Sequence, residues 1–505
     1  MGIVKVRSSS LLGIDSYPVE VEVDISTGLP SFTIVGLPDT AVQEARERVR
    51  SAIKNSGFDF PARRITVNLA PADIRKEGPS FDLPIALGIL SGTGVVPEPP
   101  RDFLFIGELS LDGELRPCNG VLPMVWDGKD RGIKGVFLPK GNAKEASLAK
   151  GMEIYPASSL REIVLHLKGE SPMEPYEGEE IEVEDRWEGV DFAHIKGQEH
   201  AKRALEIAAS GAHNVLMIGP PGSGKTLLAR ALPSILPPMT FEEAIEVTKI
   251  YSVSGLLPPD SPLITKRPFR SPHHTISHIG LVGGGRVPRP GEISLSHRGV
   301  LFLDELPEFS HQDLEALRQP LEDKFITISR AHGTLRFPSN FMLVAAMNPC
   351  PCGYYGDPEK ECRCPQSAVL KYRRRISGPL LDRIDIFIEV PRVEHDKLLD
   401  KGLSESSASV RERVIKAREI QLKRFEGTNL KANSDMGPAH IREYCKLTDD
   451  AEEILGSALK KLSLSARAFH RIIKIGRTIA DLSSSEVIEA SHIAEALQYR
   501  PRFLI

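Results

Sequence analysis

A glycine-rich segment of eight residues indicates chemistry more directly than any other pattern in this chain. Its sequence, Gly219-Pro220-Pro221-Gly222-Ser223-Gly224-Lys225-Thr226, fits the pattern GxxxxGK[ST]. In that pattern glycines let backbone N–H groups turn toward phosphate oxygens, the lysine reaches the terminal phosphates and the threonine hydroxyl ligates Mg²⁺. We therefore predict that these residues bind a nucleoside triphosphate, with Thr226 as a magnesium ligand.

Two further motifs suit hydrolysis of the bound nucleotide. An apolar run, 300–303, ends in Asp304 and Glu305, which places a metal-ligating carboxylate beside one that can orient an attacking water. Asn348 follows the apolar run 341–346, and a polar group at the carboxyl end of a strand faces the ligand crevice of an α/β sheet. Alone, these residues would indicate an ordinary acidic strand end and a turn. After a phosphate loop, they predict a Mg²⁺ ligand, a water-orienting base and a γ-phosphate sensor.

Four cysteines crowd into one short segment. Cys350, Cys352, Cys362 and Cys364 form two C-x-C pairs, separated by nine residues of a loop rich in glycine, proline and charge. Four thiolates that converge across a short loop can close a tetrahedral zinc site, although C-x₂-C is the commoner spacing. The sequence predicts a structural zinc site, with unligated cysteines as the alternative.

Short apolar runs position these motifs in an α/β fold. Runs of this length between helical stretches are typical of buried parallel strands. They occupy residues 214–218, 299–303, 341–345 and 386–390. After Pro391 the chain is charged, offers no strand candidate and reads as helical over 407–425, 448–462 and 465–482.

The first 165 or so residues form a separate mixed α/β region. Strands are expected at 19–23 and 65–69, and a helix at 40–54. Eight acidic residues follow between Glu174 and Glu188, which predicts a linker, with an edge strand around Ile181 as the alternative. The expected domains are therefore 1–170, the acidic linker 171–188, a nucleotide-binding core 189–392 and a helical domain 393–505.

Composition limits the class of protein. The 505 residues carry 64 basic and 68 acidic groups, a net charge of −4, so any nucleic-acid contact must be local. Six cysteines are too few for a disulfide scaffold. The N-terminus lacks a signal-peptide core, and no apolar run approaches the ~20 residues of a membrane helix. We expect a cytoplasmic protein without a membrane partner.

The ordered motifs resemble those of magnesium-chelatase-like AAA+ ATPases, and more narrowly those of the YifB/ComM family of competence-associated proteins. The resemblance covers nearly the whole chain and rests on long strings: 219–226, 290–297, 304–305, 348–352 and 376–385. It implies an AAA+ P-loop core with a helical lid, ATP and Mg²⁺ as cofactors, and a homo-hexameric ring in which each nucleotide is completed by the neighbouring subunit.

Two arginines acquire roles through this resemblance. Arg383 matches the arginine finger, and Arg467 matches the sensor-2 arginine of the helical lid. A guanidinium is always charged and suited to gripping phosphoryl oxygens. The alternatives are a surface ion pair of Arg383 with Asp382 or Asp385, and a solvated helix face for Arg467.

The family is similar to DNA motors with two insertions in the core, and the sequence has room for both. Residues 267–274 and 283–286 read as loop, and 325–337 reads as a β-hairpin around Ala331-His-Gly333. Basic residues in these segments and in the run 371–375 could meet a phosphate backbone, or could simply be solvated. The candidates for DNA contact are Arg267, Arg270, Arg286, Arg330, His332, Lys371, Arg373, Arg374 and Arg375.

The N-terminal region resembles the Lon peptidase fold. Residues 76–80 resemble the segment that holds the nucleophilic serine, here Ser80, and 106–117 resemble the strand pair that leads to the catalytic lysine. Met124 stands at that lysine position. A serine without a base is not a nucleophile, so we expect the fold without the peptidase chemistry.

These motifs and resemblances predict a ring-forming ATPase that translocates on, or remodels, single-stranded or branched DNA, with branch migration in natural transformation or recombination as the implied role. Two alternatives belong to other classes. A magnesium-chelatase motor subunit would act on protein partners, but the N-terminal domain and the cysteine cluster argue against it. An ATP-dependent peptidase would need the base that Met124 does not supply.

Overall fold

The computed structural model describes most of the chain. The described residues are 2–178, 189–258, 261–285, 288–330, 333–393, 402, 404–462 and 464–501. Most of the predicted acidic linker, 179–188, therefore lies outside the described residues, as do Arg286, His332 and the side chain of Arg330.

The N-terminal region combines three small sheets with helices. Its strands are β1 (Val4–Leu12), β2 (Asp15–Ser26), β3 (Ser31–Val35), β4 (Arg64–Ala70), β5 (Phe103–Phe105), β6 (Glu108–Leu109), β7 (Leu115–Arg116), β8 (Gly135–Pro139) and β9 (Glu153–Ala157). Its helices are α1 (Thr40–Asn55), α2 (Asp82–Gly92), α3 (Val121–Asp130), α4 (Ala143–Ala146) and α5 (Leu160–Leu167). The mixed α/β prediction is confirmed.

Alternating burial explains the larger N-terminal sheet, whose strand order is β1-β2-β4-β3. In β2 the side chains of Val19, Val21 and Val23 are buried, as the two-residue period of a strand requires when one face packs on a core. The apolar helix α2 covers that face. Parallel strands β5, β8 and β9 form a second sheet, and β6 and β7 form a short hairpin.

The central region contains the nucleotide-binding core. Its strands are β10 (Val215–Ile218), β11 (Phe269–Arg270), β12 (Gly283–Gly284), β13 (Arg289–Pro290), β14 (Val300–Leu303), β15 (Phe325–Arg330), β16 (Gly333–Pro338), β17 (Met342–Met347) and β18 (Ile386–Glu389). Its helices are α6 (Glu199–Gly211), α7 (Lys225–Ala231), α8 (Phe241–Ser254), α9 (His278–Val282), α10 (Glu292–Leu295), α11 (His311–Ala316), α12 (Arg318–Asp323), α13 (Gln366–Arg373) and α14 (Gly378–Leu381).

Five parallel strands form the central sheet, in the order β11-β14-β17-β10-β18. Every residue of β10, β14 and β17 is buried, so the apolar runs predicted as parallel strands are confirmed. Because the strands are parallel, the residues that follow β10, β14 and β17 emerge at one edge of the sheet. The phosphate loop, Asp304 and Asn348 follow those three strands.

The C-terminal region is helical, as predicted. Its helices are α15 (Ser407–Arg424), α16 (Pro438–Tyr444), α17 (Asp449–Leu462), α18 (Ala466–Leu482) and α19 (Ala490–Ala496). These helices share one hydrophobic core with a face of the central sheet, through residues such as Val414 and Ile473 packed in the same cluster as Met217. The hairpin β15–β16 and helix α11 cover the opposite face.

Polar contacts join helices α3 and α4 of the N-terminal region to helix α8 of the core. The Ser252 hydroxyl donates a 2.7 Å hydrogen bond to Glu145, and Lys249 lies 3.6 Å from Asp127. The Lys249 ammonium also stands over the ring of Trp126. The two regions are therefore packed together rather than merely tethered. Across the described parts of the chain, no helix combines the length and the apolar character that a membrane span requires.

Candidate nucleotide and metal sites

The phosphate loop turns between β10 and the N-terminus of α7. Gly222 and Gly224 have φ values of +76° and +91°, a backbone region that glycine enters without steric cost. Gly219 also needs the absence of a side chain, because a Cβ there would lie 2.1 Å from the carbonyl oxygen of Val390. The glycines therefore permit the tight turn that exposes backbone N–H groups at a helix N-terminus.

Lys225 lies folded into this loop. Its Nζ donates to the carbonyl oxygens of Gly219 and Pro220 at 2.8 and 2.9 Å, and lies 3.4 Å from Oδ1 of Asn348. Burial lowers the pKa of the Lys225 ammonium, against the opposing effects of Asp304 and Glu305. A partly desolvated cation held only by neutral oxygens is well suited to a phosphate, which would supply the missing negative charge.

Thr226 and Asp304 meet as a magnesium site requires. The Thr226 hydroxyl donates a 2.8 Å hydrogen bond to Oδ2 of Asp304, and the other carboxylate oxygen accepts the N–H of Glu305 at 2.9 Å. A hydroxyl and a carboxylate are the hard oxygen ligands that Mg²⁺ takes together with phosphate oxygens and water. The structure thus brings together Lys225, Thr226, Asp304 and Asn348, which the sequence had predicted from separate motifs.

A cavity of about 910 Å³ adjoins the phosphate loop on the side of β18. Gln198 lies at its edge, where its Nε2 donates to the carbonyl oxygens of Ser223 and Pro391. Gln198 was not among the predicted site residues. Gln198 stands before α6 with a φ of +61°, a backbone region that a non-glycine residue seldom adopts, and no sequence pattern had pointed to it. The cavity is large enough for a nucleoside.

The four clustered cysteines converge. Their ligand atoms all lie within 4.8 Å of one another, and the Sγ atoms of Cys350, Cys352 and Cys362 are 3.4 to 3.7 Å apart. Tetrahedral zinc with Zn–S bonds of about 2.3 Å would separate its sulfur ligands by about 3.8 Å. The donor set therefore fits a closed structural zinc site better than an open catalytic one.

The cysteine loop packs on the phosphate loop. Gly353 leaves so little room that a Cβ would lie 2.6 Å from Cδ of Pro221. Further along, Asp357 accepts a 2.9 Å hydrogen bond from Arg392, and both residues line the cavity beside the loop. Tyr355 lines the same cavity, with the guanidinium of Arg373 over its ring. The sequence had not predicted this contact between the two sites.

Arg383 and Arg467 lie at the edge of the sheet opposite the phosphate loop. Strand β18 pairs with β10 so that Ile386 faces Val215 and Glu389 faces Ile218. The phosphate loop follows Ile218, whereas Arg383 precedes Ile386. Four residues at about 3.3 Å each separate the two edges by about 13 Å along the strands.

Ion pairs hold both arginines at that edge. Arg383 pairs with Glu322, rather than with the Asp382 or Asp385 considered from the sequence, and donates to the carbonyl oxygen of Pro379. Arg467 pairs with Asp382, although 67% of its side chain is exposed. The two arginines are thus neighbours, because Asp382 and Arg383 are adjacent in the chain.

The candidate DNA contacts separate into two groups. Arg267 donates to three backbone carbonyls and to Glu243, and Arg270 forms a two-bond pair with Glu292. These two guanidiniums hold the chain together through internal partners, and contact of Arg267 and Arg270 with DNA stays a prediction. Arg373 and Arg375 are likewise occupied, by the cysteine loop and by Glu308. Lys371 and Arg374 are exposed.

The serine region of the N-terminal domain shows a different environment from the phosphate loop. Ser80 lies in a 3₁₀ turn, Pro79–Phe81, and no side-chain hydrogen bond of its hydroxyl is found among the described residues. Met124 packs in an apolar cluster on α3. Lys76 is fully buried with its Nζ on the carbonyl oxygen of Ile74 at 2.7 Å, and burial lowers its pKa. The absence of peptidase chemistry in this region stays a prediction.

Comparison with known families shows matches to magnesium-chelatase proteins along most of the chain. Three magnesium-chelatase family profiles match in order: subunit ChlI of Mg-chelatase over 21–142, magnesium chelatase subunit ChlI over 191–398, and its C-terminal part over 404–500. The magnesium-chelatase 67 kDa subunit of Heliobacterium mobile is 26% identical over 46% of this chain and 38% of its own length.

Two full-length relatives narrow the family. The competence protein ComM of Haemophilus influenzae is 47% identical over 508 aligned residues, which cover 99% of this chain and 98% of ComM. The Escherichia coli protein YifB is 43% identical over 503 residues, 99% of this chain and 97% of YifB. Matches of this extent, together with the central parallel sheet and its phosphate loop, establish that the chain belongs to the YifB/ComM family of magnesium-chelatase-like AAA+ proteins.

Proposed function

We propose that this protein is a ring-forming ATPase that couples hydrolysis of ATP to movement on, or remodelling of, DNA. The observation that carries the proposal is the meeting of four side chains at one edge of the sheet. Lys225 is poised for the phosphates, Thr226 and Asp304 for Mg²⁺, and Asn348 lies 3.4 Å from Lys225. When bound, Mg²⁺ would neutralise developing charge on the phosphates, and Glu305 would orient the attacking water.

The distant arginines support a ring. A guanidinium cannot stabilise the transferred phosphoryl group from the far edge of its own sheet, yet Arg383 and Arg467 both stand there. In a ring of identical subunits, that edge of one subunit faces the phosphate loop of the next. Arg383 then acts as an arginine finger and Arg467 as a second cation on the same neighbouring nucleotide. Six subunits remain the number that the family resemblance implies.

The proposed DNA surface consists of the two hairpins together with exposed basic residues for which the described part of the chain shows no ion pair. Hairpin β12–β13 adjoins hairpin β15–β16, because a Cβ on Gly283 would lie 3.2 Å from the side chain of Ile328. Arg286, Arg330 and His332, predicted at these tips, belong to the proposal from the sequence alone. Lys371 and Arg374 add exposed cations, and such groups bind a phosphate backbone irrespective of base sequence. A relative named for competence supports DNA as the substrate class.

We further propose that Cys350, Cys352, Cys362 and Cys364 hold one structural Zn²⁺. The loop they close supplies one wall of the cavity and touches the phosphate loop at Pro221. An irregular segment of this length has little regular hydrogen bonding of its own, so bound Zn²⁺ would keep the loop folded. The folded loop would in turn maintain the shape of the nucleotide pocket.

ATP hydrolysis in the presence of Mg²⁺, measured with and without single-stranded and forked DNA, tests the function. We expect single-stranded DNA and forked DNA each to raise the rate of hydrolysis. Lys225→Ala should abolish hydrolysis under all conditions. A matched control is Lys371→Ala combined with Arg374→Ala, which should keep the DNA-free rate and weaken the response to DNA. A hydrolysis rate indifferent to every DNA would contradict the DNA motor and favour the magnesium-chelatase alternative, in which the motor acts on protein partners.

A further inference from the structure

Asn214 takes no part in the predicted chemistry, yet three segments that carry that chemistry meet at this residue. Asn214 immediately precedes β10, the strand that ends at the phosphate loop. Its Oδ1 atom accepts a 2.8 Å hydrogen bond from the N–H of Leu343 in β17, the strand that leads to Asn348. Its Nδ2 atom donates a 2.9 Å hydrogen bond to the backbone carbonyl oxygen of Arg383. One side chain thus joins both strands of the phosphate site to Arg383.

The backbone of Asn214 strengthens the connection to Arg383. Its carbonyl oxygen accepts the N–H groups of Asp385 and Ile386, each at 3.0 Å. The chain from Arg383 to Ile386 is therefore fastened to one residue before β18 pairs with β10. An amide side chain suits this position, because it offers a donor and an acceptor together. Aspartate in its place would keep the acceptor for Leu343 and lose the donor for Arg383.

The preceding residue, His213, ties the same segment to the helical region. Its ring is fully buried, with Nδ1 3.1 Å from Oδ2 of Asp385 and Nε2 2.8 Å from the Thr478 hydroxyl on α18. Gly211 permits this packing, because a Cβ there would lie 2.2 Å from Nε2 of His213. Burial opposes ionisation of Asp385, but the hydrogen bond with His213 and nearby cations outweigh it and lower the pKa of the carboxyl group. The segment after Arg383 is therefore held from two sides.

The guanidinium of Arg383 is held less firmly than its backbone. It pairs with Glu322, whose side chain is 65% exposed, and donates to the carbonyl oxygen of Pro379. Its Nε atom is buried, and in the described part of the chain this atom has no hydrogen-bond partner. An exposed ion pair contributes little free energy, so a phosphate can replace the carboxylate of Glu322 at little cost. A fixed backbone with a releasable guanidinium suits a group that acts on a ligand outside its own fold.

We propose that Asn214 is a positioning residue for Arg383, whose hydrogen bonds fix the backbone from which the guanidinium reaches the nucleotide of the neighbouring subunit. Because Asn214 also borders β10 and β17, it connects the phosphate site of its own subunit to the arginine finger that this subunit offers to the next. The inference rests on the proposed role of Arg383 in a ring, and it does not depend on DNA as the substrate.

Steady-state ATP hydrolysis without DNA tests the positioning role. We expect Asn214→Asp to lower kcat about tenfold, because slight misplacement of a catalytic group weakens transition-state stabilisation. The KM for ATP should not change, since the phosphate loop and its ligands stay in place. Asn68→Asp, which removes a side-chain hydrogen bond to Glu22 in the N-terminal region, is the matched control and should keep the wild-type rate. An unchanged kcat or a raised KM in Asn214→Asp would overturn the proposal.

Mixed rings distinguish this role from damage to the phosphate site on the same strand. In a ring mixed from Glu305→Gln and Arg383→Ala chains, the complete sites are those where a Glu305→Gln chain offers its Arg383 to an Arg383→Ala neighbour. Asn214→Asp added to the Glu305→Gln chain should lower the regained rate about tenfold, whereas the same substitution in the Arg383→Ala chain should leave that rate unchanged. Equal losses in both placements, or the opposite pattern, would mean that Asn214 supports its own site and would overturn the proposal.

The parent mixture, without a change at Asn214, separates this inference from the proposed function. If the parent mixture regains hydrolysis and neither placement of Asn214→Asp lowers it, the inference fails and the ring stands. If the parent mixture regains none although mixed rings form, the assignment of Arg383 to the neighbouring site fails, and the inference fails with it. Thermal unfolding verifies that each variant folds. Where Asn214→Asp does not fold, Asn214→Ser takes its place, because its hydroxyl is one bond shorter than the amide that reaches Arg383.

Discussion

The phosphate site and the Ser80 region both resemble catalytic segments, and only one of them has its partners. At the phosphate site each predicted side chain has a complementary neighbour: Lys225 faces Asn348, and Thr226 faces Asp304. At Ser80 no hydrogen bond of the hydroxyl is found among the described residues, and Met124, at the expected position of the base, is packed into an apolar cluster. A catalytic segment thus keeps its fold more easily than its chemistry, because packing tolerates the loss of one polar residue and proton transfer does not.

The strongest test of this comparison removes two groups of the phosphate site, Glu305 and Arg383, that are proposed to come from different subunits. We expect Glu305→Gln to retain ATP binding and lose hydrolysis, since the magnesium ligand stays and the water-orienting carboxylate goes. Arg383→Ala should also retain binding and lower hydrolysis by about 10³-fold or more, the scale of a lost arginine finger. Rings mixed from the two variants contain some interfaces with both groups intact, so hydrolysis should partly return.

The mixed rings can also contradict the proposed role of Arg383 at the neighbouring subunit. If the mixture stays as inactive as either variant although mixed rings form, Arg383 acts within its own subunit or the ring must fire in concert. Unchanged hydrolysis in Arg383→Ala alone would remove the assignment of the finger. Glu322→Ala is a useful companion, because it frees Arg383 from its ion pair without touching the phosphate loop.

The parts of this site that could be predicted are those that local sequence determines. Gly219 to Thr226 fix their own turn through glycine, and apolar runs specify buried strands, so both the central sheet and the residues at its edge followed from the sequence. Contacts across long stretches of chain could not be predicted. The packing of Gly353 on Pro221 and the approach of His274 to Glu305 depend on how loops fold over the sheet. Pattern and propensity do not encode such loop positions.

Arg267 and Arg270 also show that contacts between distant parts of the chain could not be predicted from the sequence. Their loop composition is typical of a solvated basic segment, and no sequence pattern indicates that Glu243 or Glu292 lies nearby. In the fold, β11 adds to the central sheet and brings both guanidiniums into pairs with those carboxylates. Buried cations require such partners, and only tertiary structure supplies them.

The second prediction concerns the metal site beside the phosphate loop. Protein purified without chelator should contain about one zinc per chain, since four thiolates make one closed site. Cys362→Ser combined with Cys364→Ser should lose the metal and raise the KM for ATP by about tenfold or less, which corresponds to about 1.4 kcal/mol or less for one loosened wall. Cys118→Ser, outside the cluster, is the control. A metal-free wild type with an ordered loop would contradict the zinc site.

The smallest expected effect lies in the Ser80 region, at the buried Lys76. Its ammonium is fully buried on a single carbonyl oxygen, so replacement by methionine of similar shape removes a desolvation cost. We expect Lys76→Met to raise the midpoint of thermal unfolding near neutral pH by a few degrees, because about 1 kcal/mol shifts it by about 2–4 °C in a domain of this size. ATP hydrolysis should not change.

The pH dependence makes this last prediction specific to the lysine charge. Burial lowers the pKa of Lys76 from its ordinary value of 10.5, with a partial offset from Asp73, so the folded protein binds this proton less tightly than the unfolded chain. Wild-type stability therefore rises with pH between the folded pKa and 10.5, and Lys76→Met lacks that rise. The stability gap between the two proteins should be widest below this window and shrink within it. A gap that does not vary with pH would mean that shape rather than charge sets the effect.

Ser80→Ala, which alters no charge, should match the wild type in stability at every pH and in a casein-cleavage assay. Casein cleavage that is lost in Ser80→Ala would mean that the serine has a base after all.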